Sequence, residues 1–118
     1  MKSEWLISTM VDMKDIELLA QQITGKFNPE KIILFGSYAY GTPGPNSDVD
    51  FLVMLPFQGK SFRKSLDILN AVNPKFSVDL IARRPEEVRR RYEFGDPLIR
   101  EALDKGKVLY ERSRPGMG

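Results

Sequence analysis

Short apolar runs rich in β-branched residues alternate along this chain with amphipathic stretches, and that alternation constrains its fold more than any other feature. Lys31-Ile32-Ile33-Leu34-Phe35 reads as a strand buried on both faces, ending at Gly36. Asp48 to Leu55 reads as a second strand, stopped by Pro56. Phe76 to Ala82 reads as a third, and Lys107 to Glu111 as a last, edge strand. Ahead of them, Ile16, Leu19, Ala20 and Ile23 form one helical stripe, which predicts a helix over Asp12 to Thr24 with Gly25 as its stop. Residues 4–11 are apolar enough to add a turn or two. Ser61 can cap a helix over 62–71, with Phe62, Leu66 and Leu69 on one face and Pro74 as its limit. Pro85 suits the first turn of another helix, whose Glu86 and Glu87 precede Arg89 to Arg91 in the order the helix dipole favours. Asp96-Pro97 opens one more, with Leu98, Ile99, Ala102 and Leu103 facing inward and Gly106 closing it. This order predicts an α/β (α+β) fold, a mixed sheet with helices packed against it. The Gly41 to Ser47 loop leaves room for a turn of helix, and its length leaves the sense of the first two strands open.

With 118 residues the chain is one domain, expected over residues 1–111, with 112–118 as a disordered tail. The hydrophobic share of 42% against 29% charged residues marks a globular chain. A net charge of +2 is too mild to argue for nucleic acid, so no direct nucleic-acid contact is expected. Neither a signal peptide nor a membrane span is read from the sequence, and a cytoplasmic protein is the expectation. There is no cysteine and no histidine, which excludes disulfides, thiolate zinc sites, cysteine nucleophiles and the commonest general base. Catalysis is left to carboxylates, hydroxyls, Lys, Arg or a hard ion such as Mg²⁺, Mn²⁺ or Ca²⁺.

Against that background the acids inside the strands stand out. Asp48 and Asp50 alternate onto one face at the start of an apolar strand, where two carboxylates cost solvation energy unless a cation compensates. Two divalent ions roughly 4 Å apart would clamp a phosphate there. Gly36-Ser37 directly follows the first strand. The glycine permits close approach, the Ser37 hydroxyl can bond a phosphate oxygen, and the following amides can cradle an anion. Asp79 is a single acid in the third strand and can join Asp48 and Asp50, to hold a metal or to accept a proton. The bland readings are an ordinary turn, ordinary strand-edge acids, and an Asp79–Arg83 ion pair.

Taken together, Gly36-Ser37, Asp48-Val49-Asp50 and Asp79 resemble the DNA polymerase β-type nucleotidyltransferase superfamily. The stretch Phe35 to Gly41, then Ser47 to Val53, and the ending Asp96 to Arg100 and Gly106 to Glu111 resemble its minimal nucleotidyltransferase branch. The resemblance spans roughly residues 28–112 and implies a nucleotidyltransferase fold. It implies that Gly36, Ser37 and Ser47 bind the nucleotide, and that Asp48, Asp50 and Asp79 form the catalytic, metal-binding triad for two Mg²⁺ ions. ATP or another NTP would be the substrate. It further implies a HEPN-domain partner, a ribonuclease toxin, with AMP attached to one of its tyrosines and this chain acting as antitoxin. The alternatives are an inactive antitoxin that only binds, and transfer to a small molecule such as an aminoglycoside, whose enzymes usually carry an added helical domain. One departure stands in the motif: Tyr40 occupies a place where the branch commonly has Arg. Tyr40 reads as a half-buried packing residue that could otherwise stack on a base. Arg83, Arg84 and Arg89 to Arg91 read as a solvated basic face with Glu86–Arg90 and Glu87–Arg91 pairs. Trp5 and Leu6 could form a partner contact.

Overall fold

The computed structural model describes residues 10–113. Helix α1, Met13–Phe27, starts at Asp12, whose side chain accepts from the Lys14 amide at 3.1 Å. The Ile16, Leu19, Ala20 and Ile23 stripe is buried as its spacing predicts. The helix does not stop at Gly25; it runs two residues further and ends at Asn28, which takes the left-handed conformation (φ 49°). Strand β1, Lys31–Phe35, follows, then a one-turn helix α2, Ser37–Tyr40, and strand β2, Val49–Met54. Helix α3, Ser61–Val72, strand β3, Val78–Arg83, helices α4, Pro85–Phe94, and α5, Pro97–Lys105, and strand β4, Lys107–Glu111, complete the described chain.

The sheet order is β3-β2-β1-β4. Strand β1 runs antiparallel to both β2 and β4, while β2 and β3 are parallel, with α3 as the crossover between them. Every second residue of a strand faces the same way, and the burial divides accordingly. Ile32, Leu34, Val49, Phe51, Val53, Leu80 and Ala82 pack under α1 and α3. On the other face Ile33, Phe35, Leu52 and Met54 pack against Val88 of α4 and Ile99 and Ala102 of α5. The result is a mixed four-stranded sheet between two helical layers, as the alternation of the sequence predicts.

One helix turns a different face inward from the expected one, and another departs from it at a single residue. In α3, Phe62 is 74% exposed and Leu66 39%, while Ser65 and Ile68 are buried. Two stripes overlap in this helix, and the longer one through Ile68, Leu69 and Val72 wins. Ser65 fits that face because its hydroxyl accepts from the Ala82 amide at 3.0 Å and donates to the Ser61 carbonyl at 2.9 Å. Ser61 lies inside the helix, and Lys60 is its cap. In α5, Leu98 alone of the expected inner face is exposed; Ile99 and Ala102 are buried and Leu103 packs against their cluster. Gly106 does end α5, with an extended backbone (φ −75°) and for reasons of space. A Cβ there would lie 2.2 Å from the Ala102 carbonyl oxygen and 2.6 Å from Ile33 Cγ2. Just past β4, the Arg112 amide donates to the Glu30 carbonyl (2.9 Å) and its guanidinium to the Asn28 carbonyl. Residues 4–9, with Trp5 and Leu6, and residues 114–118 of the expected tail lie outside the described part.

Candidate active site

The parallel pairing of β2 with β3 decides the geometry of the acids. In this register Asp50 is the partner of Asp79. Partnered residues of adjacent parallel strands project to the same face, so two carboxylates stand side by side on the α4–α5 face of the sheet. Asp48 sits one residue before β2, not within it as the expected strand Asp48 to Leu55 has it. It is exposed, and its Oδ1 accepts from Ser77 Oγ at 2.6 Å, so the residue before β3 anchors the residue before β2. The three acids therefore gather at one end of β2 and β3. Among the described residues they do not already close into a metal-binding cluster. Asp79 forms no ion pair with Arg83, which pairs with Glu87 (3.7 Å).

Burial and neighbouring carboxylates act together on Asp50. Its pKa is pushed up from 3.8 to about 6, first by desolvation, then by Asp79, Asp48 and Glu101. Each unit of such a shift reflects free energy stored against ionisation. A bound cation would relieve it.

Gly36 explains why the turn after β1 starts with glycine. Its φ is +76°, and a Cβ on it would fall 2.1 Å from Asp50 Oδ2. Both the conformation and the contact reject a side chain. The backbone at Gly36 thus runs directly against the carboxylate of Asp50. Helix α2 begins at Ser37, but it has a single turn, too short for the dipole of a long helix to matter. What remains is local: the first amides of a helical turn, here Ser37 and Tyr38, have no carbonyl within the helix. Tyr38 is buried, and its hydroxyl accepts from the Val11 amide at 3.0 Å, which holds the turn in place. Ser47, also expected to meet the nucleotide, is engaged within its loop, its Oγ accepting from the Gly44 amide at 2.8 Å.

A fourth acid completes the site, and sequence reasoning did not single it out. Glu101 projects from α5, next to the buried Ala102, and accepts from the Tyr40 hydroxyl at 2.7 Å. It is one of the charges that raise Asp50. The Tyr40 phenol is itself held above its usual pKa by desolvation and by Glu101, while a hydrogen bond from the Gly36 backbone works the other way. Tyr40 is 40% exposed and bridges α2 to α5 across the acids. It is less buried than a packing tyrosine. No signal of spacing or composition marks Glu101, because it lies one residue off the inner stripe of its helix.

The basic cluster divides. Arg83, Arg84 and Arg91 converge on Glu87, and Arg91 also reaches Asp96. The Glu87–Arg91 pair is present at 3.0 Å, whereas Glu86–Arg90 is absent from the ion pairs of the described residues. Beside Asp79, the edge of β3 and the exposed Phe62 and Leu66 of α3 line a groove of ≈ 390 Å³. Among the described residues no helix is long and apolar enough to cross a membrane.

Residues 16–109 match the family model described as "Nucleotidyltransferase domain". Among solved structures, one described as a toxin-antitoxin with AMP-PNP aligns with TM-score 0.55 and 24% identity over 82% of this chain and 74% of that one. A putative nucleotidyltransferase from Sulfolobus solfataricus aligns with TM-score 0.52 and 22% identity, over 84% and 79%. A mutant MntA–HpeT toxin-antitoxin aligns with TM-score 0.51 and 22% identity, over 88% and 76%. At these identities the likeness is one of fold. Among curated proteins none matches the chain.

Proposed function

The chain belongs to the nucleotidyltransferase domain family, and from that premise we propose that it is a Mg²⁺-dependent nucleotidyltransferase that moves AMP from ATP onto a tyrosine of a HEPN-domain toxin, as the antitoxin of the pair. The observation that carries this reading is the side-by-side placement of Asp50 and Asp79, with Asp48 anchored beside them and Gly36 pressed against Asp50.

The donor set suits Mg²⁺: three carboxylates, no nitrogen and no sulfur, with the pKa of Asp50 raised to about 6 by burial and by the neighbouring acids, a charge that a cation would stabilise. Asp48, Asp50 and Asp79 would hold two such ions, which when bound neutralise charge on the phosphates and favour in-line attack. The chain's own residues do the rest. The Ser37 hydroxyl and the Ser37 and Tyr38 amides would hold phosphate oxygens, where Gly36 allows the backbone to come close. Ser47 would contribute through its hydroxyl hydrogen, since its oxygen already accepts from Gly44. Asp79, on the edge strand β3, would take the proton of an incoming hydroxyl.

ATP is supported by the similar fold described with AMP-PNP. A protein acceptor is supported by the apolar groove that borders Asp79, with Phe62 74% exposed at its rim. The reaction would take place in the cytoplasm, on an acceptor carried by a second chain.

Co-expression of the chain with a HEPN-domain protein, followed by intact-mass measurement of that protein, tests the proposal. One or more AMP groups are expected on it, and Asp48→Asn should remove them. Absence of an adduct, or an adduct that survives Asp48→Asn, would falsify transfer by this site. A second reading, an antitoxin that binds without catalysis, is favoured by one observation: the place commonly held by a cation carries Tyr40, bound to an acid. Neutralisation of the toxin by a triple Asp48→Asn, Asp50→Asn, Asp79→Asn variant would select that reading.

A further inference from the structure

Four tyrosines occur in the chain, and their hydroxyls have different surroundings. That of Tyr38 is buried in the turn and occupied by the Val11 amide. That of Tyr92 donates to Asp104 at 2.7 Å, where α4 meets α5. Tyr110 lies on the edge strand β4, two strands away from β2. Only Tyr40 brings its hydroxyl to the acids. It stands three residues after Ser37 in the same turn, and its ring reaches across to α5. Its hydroxyl lies within the field of Asp50, and its proton points at Glu101 Oε2, 2.7 Å away.

A hydroxyl at the proposed phosphate cradle with a carboxylate on its proton has the make-up of an acceptor and its general base. We propose that Tyr40 accepts a nucleotidyl group from ATP bound in its own site, so that the chain modifies itself as well as its partner. The inference rests on the nucleotidyltransferase reading above and adds a second acceptor to it. The Tyr40 oxygen forms a bond to the α-phosphorus of ATP. The bond from that phosphorus to the β-phosphate oxygen breaks, and pyrophosphate leaves with the electron pair. The phenolic proton passes to Glu101. Holding nucleophile and phosphate on one helical turn removes the need for a bimolecular encounter. The product carries AMP over Gly36, so a modified site cannot bind a second ATP; self-modification would end the transfer to the partner.

The purified full chain, incubated with ATP and Mg²⁺ without any partner, should gain the mass of one AMP. Fragmentation should place it on Tyr40, a localisation that does not depend on any variant folding. Asp48→Asn should abolish the gain, and Glu101→Gln should slow it on the order of 100-fold, the loss expected for a general base. If the chain stays unmodified, or carries AMP on another residue, while a co-expressed HEPN-domain partner is labelled, the inference about Tyr40 is overturned and the transferase reading stands. If neither chain is labelled, both fail together.

Discussion

The two faces of β2 carry opposite chemistry on one backbone. Val49, Phe51 and Val53 point into the layer under α1 and α3, and each is fully buried. Asp50, Leu52 and Met54 point the other way, where the apolar cluster under α4 and α5 has 7 buried residues against 14 on the first face. The thin cluster stops short of the strand's beginning, and Asp50 stands there beside Asp79 and Glu101. A carboxylate crowded by carboxylates opposes folding, so something else must hold β2 in place. The thick face does so. The strand is anchored by its odd residues and is thereby free to carry charge on its even ones.

Substitutions on the two faces should therefore separate stability from activity. The largest effect is expected for Phe51→Ala, a large side chain with no exposure in the thick core, at about 3–5 kcal/mol of stability. Chemical denaturation measures it, and a loss below about 1 kcal/mol would mean that the thick face does not anchor the strand. Next comes Asp50→Asn. It should cut nucleotidyl transfer on the order of 1000-fold, because a metal-holding carboxylate is lost. The same variant should raise the melting temperature in metal-free buffer, because it removes a partly buried charge and its repulsion with Asp79, Asp48 and Glu101. A variant that is both inactive and less stable would break the comparison.

This division was legible in the sequence to an unequal degree. The thick face announces itself: the Ile16, Leu19, Ala20 and Ile23 stripe has a clear helical period and every one of those positions is buried, as are Ile32 and Leu34 of the first β-branched run. Gly36, Asp48, Asp50 and Asp79 could be picked out because charge in an apolar strand and glycine at its end are locally anomalous. What could not be read was set by packing between distant elements. Phe62 and Leu66 look like an inner face, yet the overlapping stripe through Ile68 is longer, and a serine joins it only because the Ala82 amide needs a partner. Gly25 looks like a stop, yet Asn28 supplies the left-handed residue and the helix runs through. Glu101 is invisible for the same reason: its place beside Tyr40 depends on how α5 lies over the sheet, and the two residues are 61 positions apart.

The pH dependence sharpens the comparison at smaller amplitude. Asp50 has a folded-state pKa of about 6 against an ordinary value of 3.8. Below 3.8 it is protonated in both folded and unfolded chains. As pH rises from 3.8 to about 6 the unfolded chain ionises first, so stability falls across that window. Discounted for the solvent that reaches the group, the loss is about 1 kcal/mol. Thermal melting should reveal it in metal-free buffer, and Mg²⁺ should reverse it above pH 6 while doing little at pH 4. Equal stabilisation by Mg²⁺ at both pH values would place the ion elsewhere than on these acids. Asp50→Asn should flatten the profile, whereas Phe51→Ala should shift it down without changing its shape.

The smallest effect tests what holds the thin face together. Helices α4 and α5 bury few apolar residues, but Arg91 links them, bonded to Glu87 at 3.0 Å and to Asp96 at 3.1 Å. Arg91 is 44% exposed, and exposed pairs contribute little, so Arg91→Ala should cost about 0.5 kcal/mol. Asp96 would keep its other role, since its Oδ1 caps α5 by accepting from the Leu98 and Ile99 amides. Glu101 should then remain on Tyr40, and transfer should be nearly unchanged. A cost of about 2 kcal/mol or more, far above the range of surface ion pairs, would mean that this layer is held by its charges and not by Val88, Ile99 and Ala102. In that case the acids of the site and the ion pairs behind it would form one electrostatic unit. Salt, which screens exposed charges, would then weaken the thin face while leaving the thick one intact.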